Sequence, residues 1–220
     1  MLYIVSTPIG NLEDITLRAI NTLSKADLIL AEDTRKAKIL LGHYDIKKPL
    51  LSFYDYNKEK RIKNVLSLLK EGREIALISE AGTPGVSDPG YFLARACVKE
   101  NIPFTALPGP TAAVNALVLS GLPTDKFFFT GFLSPKKGKR DRQLKELAGI
   151  KTTLVIFESR RRLLSILKDS MAYFKDKKVV VLREMTKLYE EVLRGKLDFL
   201  ISRIQDRALK GEFVIVIDNR

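Results

Sequence analysis

Apolar positions in the first half of the chain fall in short runs separated by stretches of helical periodicity. Residues 2–5 (LYIV), 26–31 (ADLILA), 50–52 (LLS), 74–78 (EIALI) and 104–106 (FTA) predict strands. Between them, Ile15, Ala19, Ile20 and Leu23 form one helical stripe, and Ile62, Val65, Leu66 and Leu69 form another. Helices are also predicted over 36–41, 91–98 and 112–119, the last rich in small residues. Such alternation predicts a parallel α/β sheet covered on both faces.

Gly and Pro interrupt the pattern at SGLPTD (120–125), which suggests a boundary between domains at 1–121 and 122–220. Beyond it, strands are predicted at 127–130, 153–157, 179–183 and 213–217, helices near 140–147 and over 161–168, and mixed structure over 184–200. The simplest account is a second, smaller α/β domain that admits antiparallel strands.

Composition narrows this picture. A chain of 220 residues, 45% hydrophobic and 29% charged, supplies an ordinary core and excludes a disordered basic tail. The formal charge of +12 is uneven: residues 1–122 hold 15 basic and 13 acidic side chains, and residues 123–220 hold 23 and 13. A polyanionic partner for the second half follows, because Lys and Arg gain by displacing phosphate counterions. The single Cys97 permits no intramolecular disulfide, and with a single His43 neither a zinc site nor a histidine-based triad is expected. The first residues read as a buried strand, no apolar run approaches the ~20 residues of a membrane span, and a cytoplasmic protein without a membrane partner is the expectation.

Chemistry is sought in the loops that follow predicted strands, where open α/β sheets bind ligands. STPIGNL (6–12) lacks the glycines of a dinucleotide loop, and no P-loop occurs. AEDTR (31–35) sets charged groups at a strand end, with Asp33 equally suited to cap a helix. SEAGTPGVSDPG (79–90) is the densest motif; its small residues allow close backbone approach, and Asp88 before Pro89 is also a candidate cap. LPGPTAA (107–113) stiffens a turn. In the second half, KKGKRDR (136–142) reads as a mobile loop that contacts phosphates, and FESRRR (157–162) places a carboxylate beside three arginines.

Together these segments, with SGLPTDKFFFTGFL (120–133), REMTKLYEE (183–191) and KGEFV (210–214), resemble the tetrapyrrole methylase superfamily of S-adenosylmethionine (SAM) enzymes, in its branch that acts on small-subunit ribosomal RNA. The resemblance implies a class III SAM methyltransferase: two α/β domains with SAM in the interdomain cleft, a homodimer, and 2′-O-methylation of cytidine 1402 in 16S rRNA of the small ribosomal subunit. By position it implies cofactor contacts from Thr7, Pro8, Ile9 and Gly10, from Glu80, Ala81, Gly82 and Thr83, from Thr111 and Ala112, and from Phe157 and Gly211. Two departures stand out. Glu80 replaces the usual Asp, and Arg160 follows Ser159 where the family has Pro.

Methyl transfer from a sulfonium is an in-line displacement, and a ribose hydroxyl attacks well only once its proton is accepted. With no useful histidine, the candidate acceptors are Asp33, Asp88, Glu158, Glu184 and Glu190. RNA contacts are expected from Arg35, Lys136, Lys137, Lys139, Arg140, Arg142, Arg160 and Arg161. No metal site is expected. The rival readings are a precorrin-type tetrapyrrole methyltransferase on the same fold and a non-catalytic RNA-binding protein with a vestigial SAM site.

Overall fold

The computed structural model describes residues 1–54 and 58–220, with side chains from 61 onward in the second of these stretches. The chain divides into two compact units, Met1–Thr111 and Ala112–Arg220.

The first unit is a five-stranded sheet in the order β3-β2-β4-β1-β5, from β1 (Leu2–Val5), β2 (Leu28–Ala31), β3 (Leu50–Ser52), β4 (Ile75–Ile78) and β5 (Phe104–Leu107). Every pairing is parallel. The two-residue period of a strand sends alternate side chains to opposite faces. Ala76 and Ile78 join Ala19, Leu23, Ala37 and Leu41 of α1 (Leu17–Lys25) and α2 (Thr34–His43), while Ile75 and Leu77 join Val65, Leu69, Leu93 and Cys97 of α3 (Lys58–Lys70) and α4 (Tyr91–Lys99). Both faces are therefore covered, as the unbroken apolar runs predict. Helix α1 starts where the Thr16 hydroxyl accepts the Ala19 N–H at 3.1 Å, a side-chain cap on one orphan donor.

The second unit is a mixed sheet in the order β6-β7-β10-β8-β9. Its strands are β6 (Phe127–Phe132), β7 (Thr153–Ser159), β8 (Val179–Arg183), β9 (Glu191–Gly195) and β10 (Glu212–Asp218). β6 and β7 run parallel, and the other neighbours are antiparallel. Leu154, Ile156, Val181 and Ile215 pack on α6 (Lys137–Ala148), α7 (Arg160–Phe174) and α8 (Leu197–Ile204). On the opposite face Val155, Val180 and Val214 pack on Ala113, Ala116 and Leu117 of α5 (Ala112–Ser120).

Helix α5 thus belongs with the second sheet, and the units divide ahead of the Gly/Pro punctuation at 120–125. Punctuation marks where the chain turns, whereas packing decides to which core a helix belongs. The second unit is as large as the first rather than smaller. The basic run at 136–142 is a further correction: it forms the opening turns of α6 rather than a loop. The stretch 184–200 resolves into strand β9 and the start of α8. Among the described residues, no helix is long and apolar enough to cross a membrane.

Candidate functional site

In the first unit, the loops after β1, β4 and β5 are tied into one platform. The backbones of Thr7 and Gly82 exchange hydrogen bonds, each 2.9 Å. The buried Ser6 hydroxyl donates to the Leu107 carbonyl (3.1 Å) and lies 2.9 Å from the Thr83 hydroxyl, which itself reaches the Pro110 carbonyl at 3.3 Å. A Cβ on Gly109 would stand 2.7 Å from Ser6 Cβ, so this turn can approach β1 only as glycine. Thr7, Pro8 and Ile9 are buried, Gly10 is exposed, and Ala81, Thr83 and Thr111 are partly exposed. The Ser6 and Thr83 hydroxyls are therefore occupied with each other and with carbonyls, and the Thr7 hydroxyl donates to the Ser79 carbonyl at 3.4 Å. What the platform offers a ligand is small side chains and the backbone of 81, 83, 109 and 111, since Gly82 spends both its backbone groups on Thr7 and Pro108 and Pro110 carry no N–H.

The Glu80 carboxylate forms an ion pair with Lys36 of α2, and Lys36 carries no signal in the sequence that would mark it as a partner. Asp33 is the N-cap of α2: it accepts the Arg35 N–H at 2.8 Å and pairs with the Arg35 guanidinium at 2.8 Å. The guanidinium and that N–H together hold its pKa at about 2. A carboxylate bound in this way is a poor proton acceptor, so the expectation of Asp33 as a general base is corrected in favour of the cap. Asp88 is not a cap. α4 begins at Tyr91 behind Gly90, without a side-chain cap, and Asp88 lines a cleft with Glu32, Tyr54, Tyr91 and Phe92.

In the second unit, one end of the sheet gathers the ends of β6, β7 and β8 and the starts of β9 and β10, since Glu212 pairs with Ser159 and Phe213 with Arg183, which itself pairs with Glu191. Phe157 stacks edge-on against Phe129, with centroids 4.7 Å apart. Glu158, expected as a candidate base, is buried. Both its oxygens accept from Arg162 (2.9 and 2.8 Å), and one also accepts from the Ser159 N–H and hydroxyl. The Arg162 guanidinium reaches on to the Leu133 carbonyl at 2.6 Å. This corrects the expectation: Glu158 clamps the start of α7 to the β6–α6 connection. The spacing of four between Glu158 and Arg162 was a legible signal.

Arg140 is likewise corrected. It is 7% exposed, pairs with Asp169 at 2.5 Å and donates to the Pro135 carbonyl at 3.1 Å, so its guanidinium is spent on stapling the connection. Lys136, Lys137, Lys139, Arg142, Arg160 and Arg161 are all exposed, at or near the N-termini of α6 and α7. Cations there oppose the helix dipole, an arrangement that costs stability unless anions are bound nearby.

Glu184 sits at φ 47° and Thr186 at φ 65°, left-handed conformations that store strain in non-glycine residues. Glu184 accepts from Lys187 and from the Glu212 N–H, both at 2.9 Å. Burial pushes its pKa up, but the Glu212 N–H and Lys187 outweigh this and hold it below the usual range. Burial likewise lowers Lys187, and the carboxylates of Glu212 and Glu184 raise it by more. Gly211, at φ 110°, is required here: a Cβ would meet the Glu184 carboxyl at 2.4 Å. Glu190 accepts the Thr186 N–H at 2.7 Å. Thr186 Oγ1 is buried without a hydrogen-bond partner among the described residues.

Residues 1–200 match the model of the Tetrapyrrole (Corrin/Porphyrin) Methylases. A relative from Thermotoga maritima named ribosomal RNA small subunit methyltransferase I is 50% identical, over 100% of this chain and 98% of its own. One of the same name from Escherichia coli O157:H7 is 44% identical over 99% of this chain and 77% of its own. Among solved structures, a cobalt precorrin-4 methyltransferase has a TM-score of 0.72 at 19% identity, covering 98% of this chain and 93% of its own. Uroporphyrin-III-C-methyltransferase from Thermus thermophilus has a TM-score of 0.67 at 21% identity, covering 99% and 94%. The two-sheet α/β fold and the match over residues 1–200 together place the chain in the tetrapyrrole (corrin/porphyrin) methylase family.

Proposed function

We propose that the protein is a SAM-dependent methyltransferase of small-subunit ribosomal RNA, and that its target is the ribose 2′-oxygen of cytidine 1402 in 16S rRNA. The observation that supports the ribosomal RNA methyltransferase reading is 50% identity over the whole of this chain to a relative named ribosomal RNA small subunit methyltransferase I; the cytidine 1402 ribose is the finer expectation from the motif resemblance. SAM has no pyrophosphate, so it needs no glycine-rich cradle; it needs backbone hydrogen bonds and room, for which the backbone of 81, 83, 109 and 111 is suited. The Gly109 turn seated on Ser6 opens the platform to a flat ring, and Glu80 can accept from a hydroxyl or an amine. Bound there, SAM supplies a methyl group activated by positive sulfur.

The chain's own residues must then orient the ribose and hold its proton. Asp88 and Glu190 remain as acceptors once Asp33 and Glu158 are assigned to structure and Glu184, held below the usual range by Lys187 and the Glu212 N–H, is set aside on the same ground as Asp33. The six exposed cations at the α6 and α7 starts hold the RNA backbone. The reading includes a homodimer working in the cytoplasm.

The test is incubation with labelled SAM and small subunits, naked 16S rRNA or a tetrapyrrole, followed by mapping of the label. Label at the cytidine 1402 ribose is expected. Label in the tetrapyrrole alone would overturn the reading. Amide variants of Asp88 and Glu190 are expected to include one that loses turnover and keeps SAM affinity.

A further inference from the structure

Strand β6 is an edge of the second sheet, beside β7, and its pairing is irregular. Phe129 pairs with Val155, but the next pair is Gly131 with Ile156, so Thr130 is an extra residue and Gly131 takes up φ 66°. Such a bulge shifts the register by one and sends every later side chain to the other face. In regular register Phe132 would stand opposite Glu158, on the side of its clamp with Arg162. With the extra residue it stands opposite Phe157, on the face that carries α5. Phe129 and Phe132 therefore both meet the Phe157 ring edge-on, with centroids 4.7 and 5.8 Å away. Phe129 and Phe157 pack into the core on that face, whereas Phe132 is left 55% exposed at the carboxyl end of the strand.

A large ring open to water on an edge strand invites unwanted association. Here it is ringed by cations. Lys136 and Lys137 follow four and five residues later on the same chain, and Arg160 and Arg161 begin α7 just beyond Phe157. All four are exposed, while the carboxylate at this end of β7, Glu158, is spent on Arg162. A ring held in place among cations is the chemistry that binds single-stranded nucleic acid, since the ring takes a base on its face and the cations take the flanking phosphates. We propose that Phe132 is a stacking platform for an unpaired base of the RNA. A duplex keeps its bases stacked on one another and offers the ring only backbone, so this surface selects an unpaired segment. A second copy of the chain seated on the same patch by two-fold symmetry would set these cations against themselves. The proposal rests on the RNA-methylation reading for the polymer, and on the bulge, the ring and the cations for the unpaired base.

The test measures binding of a mixed-sequence single-stranded RNA, and of the same sequence as a duplex, by fluorescence anisotropy. The proteins compared are wild type, Phe132→Ala, Phe132→Tyr and Phe128→Ala. Phe128 serves as the control: it is 41% exposed on the same strand, but pairs with Leu154 on the opposite face, nearer the other end. Wild type is expected to prefer the single strand. Phe132→Ala is expected to weaken that binding about tenfold, and Phe132→Tyr, which keeps the ring, by less than about twofold. Phe128→Ala is expected to bind as wild type does. Since Phe132→Ala removes no phosphate contact, its dependence on salt should match that of wild type, which separates the ring from the lysines. SAM affinity by calorimetry and the sedimentation coefficient are expected to be unchanged throughout. Equal binding of duplex and single strand, wild-type affinity in Phe132→Ala, or an equal loss in Phe128→Ala would overturn the proposal. So would a loss of SAM affinity in Phe132→Ala, which assigns the ring to the cofactor, or a change in sedimentation, which assigns it to a contact between copies. Single-strand binding that depends on Phe132, without methylation of any RNA by wild type, would instead leave the platform standing and sink the functional reading.

Discussion

The two units hold their functional ends together by different physics. In the first, three strand-end loops are joined by neutral groups: two backbone bonds between Thr7 and Gly82, the Ser6 and Thr83 hydroxyls, and a glycine pressed onto Ser6. In the second, the equivalent work falls to charge: Glu158 with Arg162, Arg140 with Asp169, and Lys187 between Glu184 and Glu212. The difference suits their proposed partners. Neutral loops leave backbone groups for a small cofactor, while internal pairing lets the second unit carry an excess of exposed cations for RNA without leaving its buried charges unmatched.

The largest expected effect would come from breaking that pairing. Glu158→Ala leaves Arg162 beside a buried void of charge and is expected to cost about 3–5 kcal/mol, read from the denaturant midpoint. Replacing both, Glu158→Leu with Arg162→Met, is expected to recover most of it. Full stability in the single variant would show that the second unit does not depend on this clamp.

Glycine substitutions probe both units by one change. Gly211→Ala drives a Cβ into the Glu184 carboxyl from a left-handed backbone, and a loss of about 2–4 kcal/mol is expected. Gly109→Ala brings a Cβ to 2.7 Å from Ser6 Cβ but from a backbone that is not left-handed, and is expected to cost about 1–3 kcal/mol, with weakened SAM binding by calorimetry as its distinguishing mark. Equal SAM affinity in both variants would remove the functional half of the comparison.

Salt separates the surfaces. Binding to small subunits is expected to weaken steeply with ionic strength, and Lys136→Ala or Lys139→Ala should each lower the slope of log K against log salt by about 1 without changing thermal stability. Arg140→Ala is expected to do the reverse, lowering stability, because that guanidinium is stapled inside. The smallest effect concerns Asp33. Its folded pKa of about 2 lies below the ordinary 3.8, so its contribution is present above 3.8 and is lost as pH falls through 2. Asp33→Asn should flatten the acid limb of the stability curve in that window alone.

Much of this was legible along the chain. The parallel first sheet follows from its apolar runs, and the strand-end position of every first-unit motif follows from where those runs stop. Chain alternation also predicted mixed structure over 184–200, yet could not resolve β9, none of whose residues is buried and which carries no alternating pattern. Asp33 could be a cap or a base from sequence; only the Arg35 contacts decide.

The sequence by itself determined most of the elements, the family and the charge asymmetry, because periodicity, motif order and composition are local or additive properties. Tertiary structure decided which core α5 joins and which charged groups are spent on each other. Glu158 and Arg162 are neighbours in sequence, but Arg140 and Asp169, or Ser6 and Thr83, meet only when strands and helices pack. Whether a carboxylate or a guanidinium is free for chemistry depends on those distant partners, since a buried charge must be matched wherever the fold brings its counterpart.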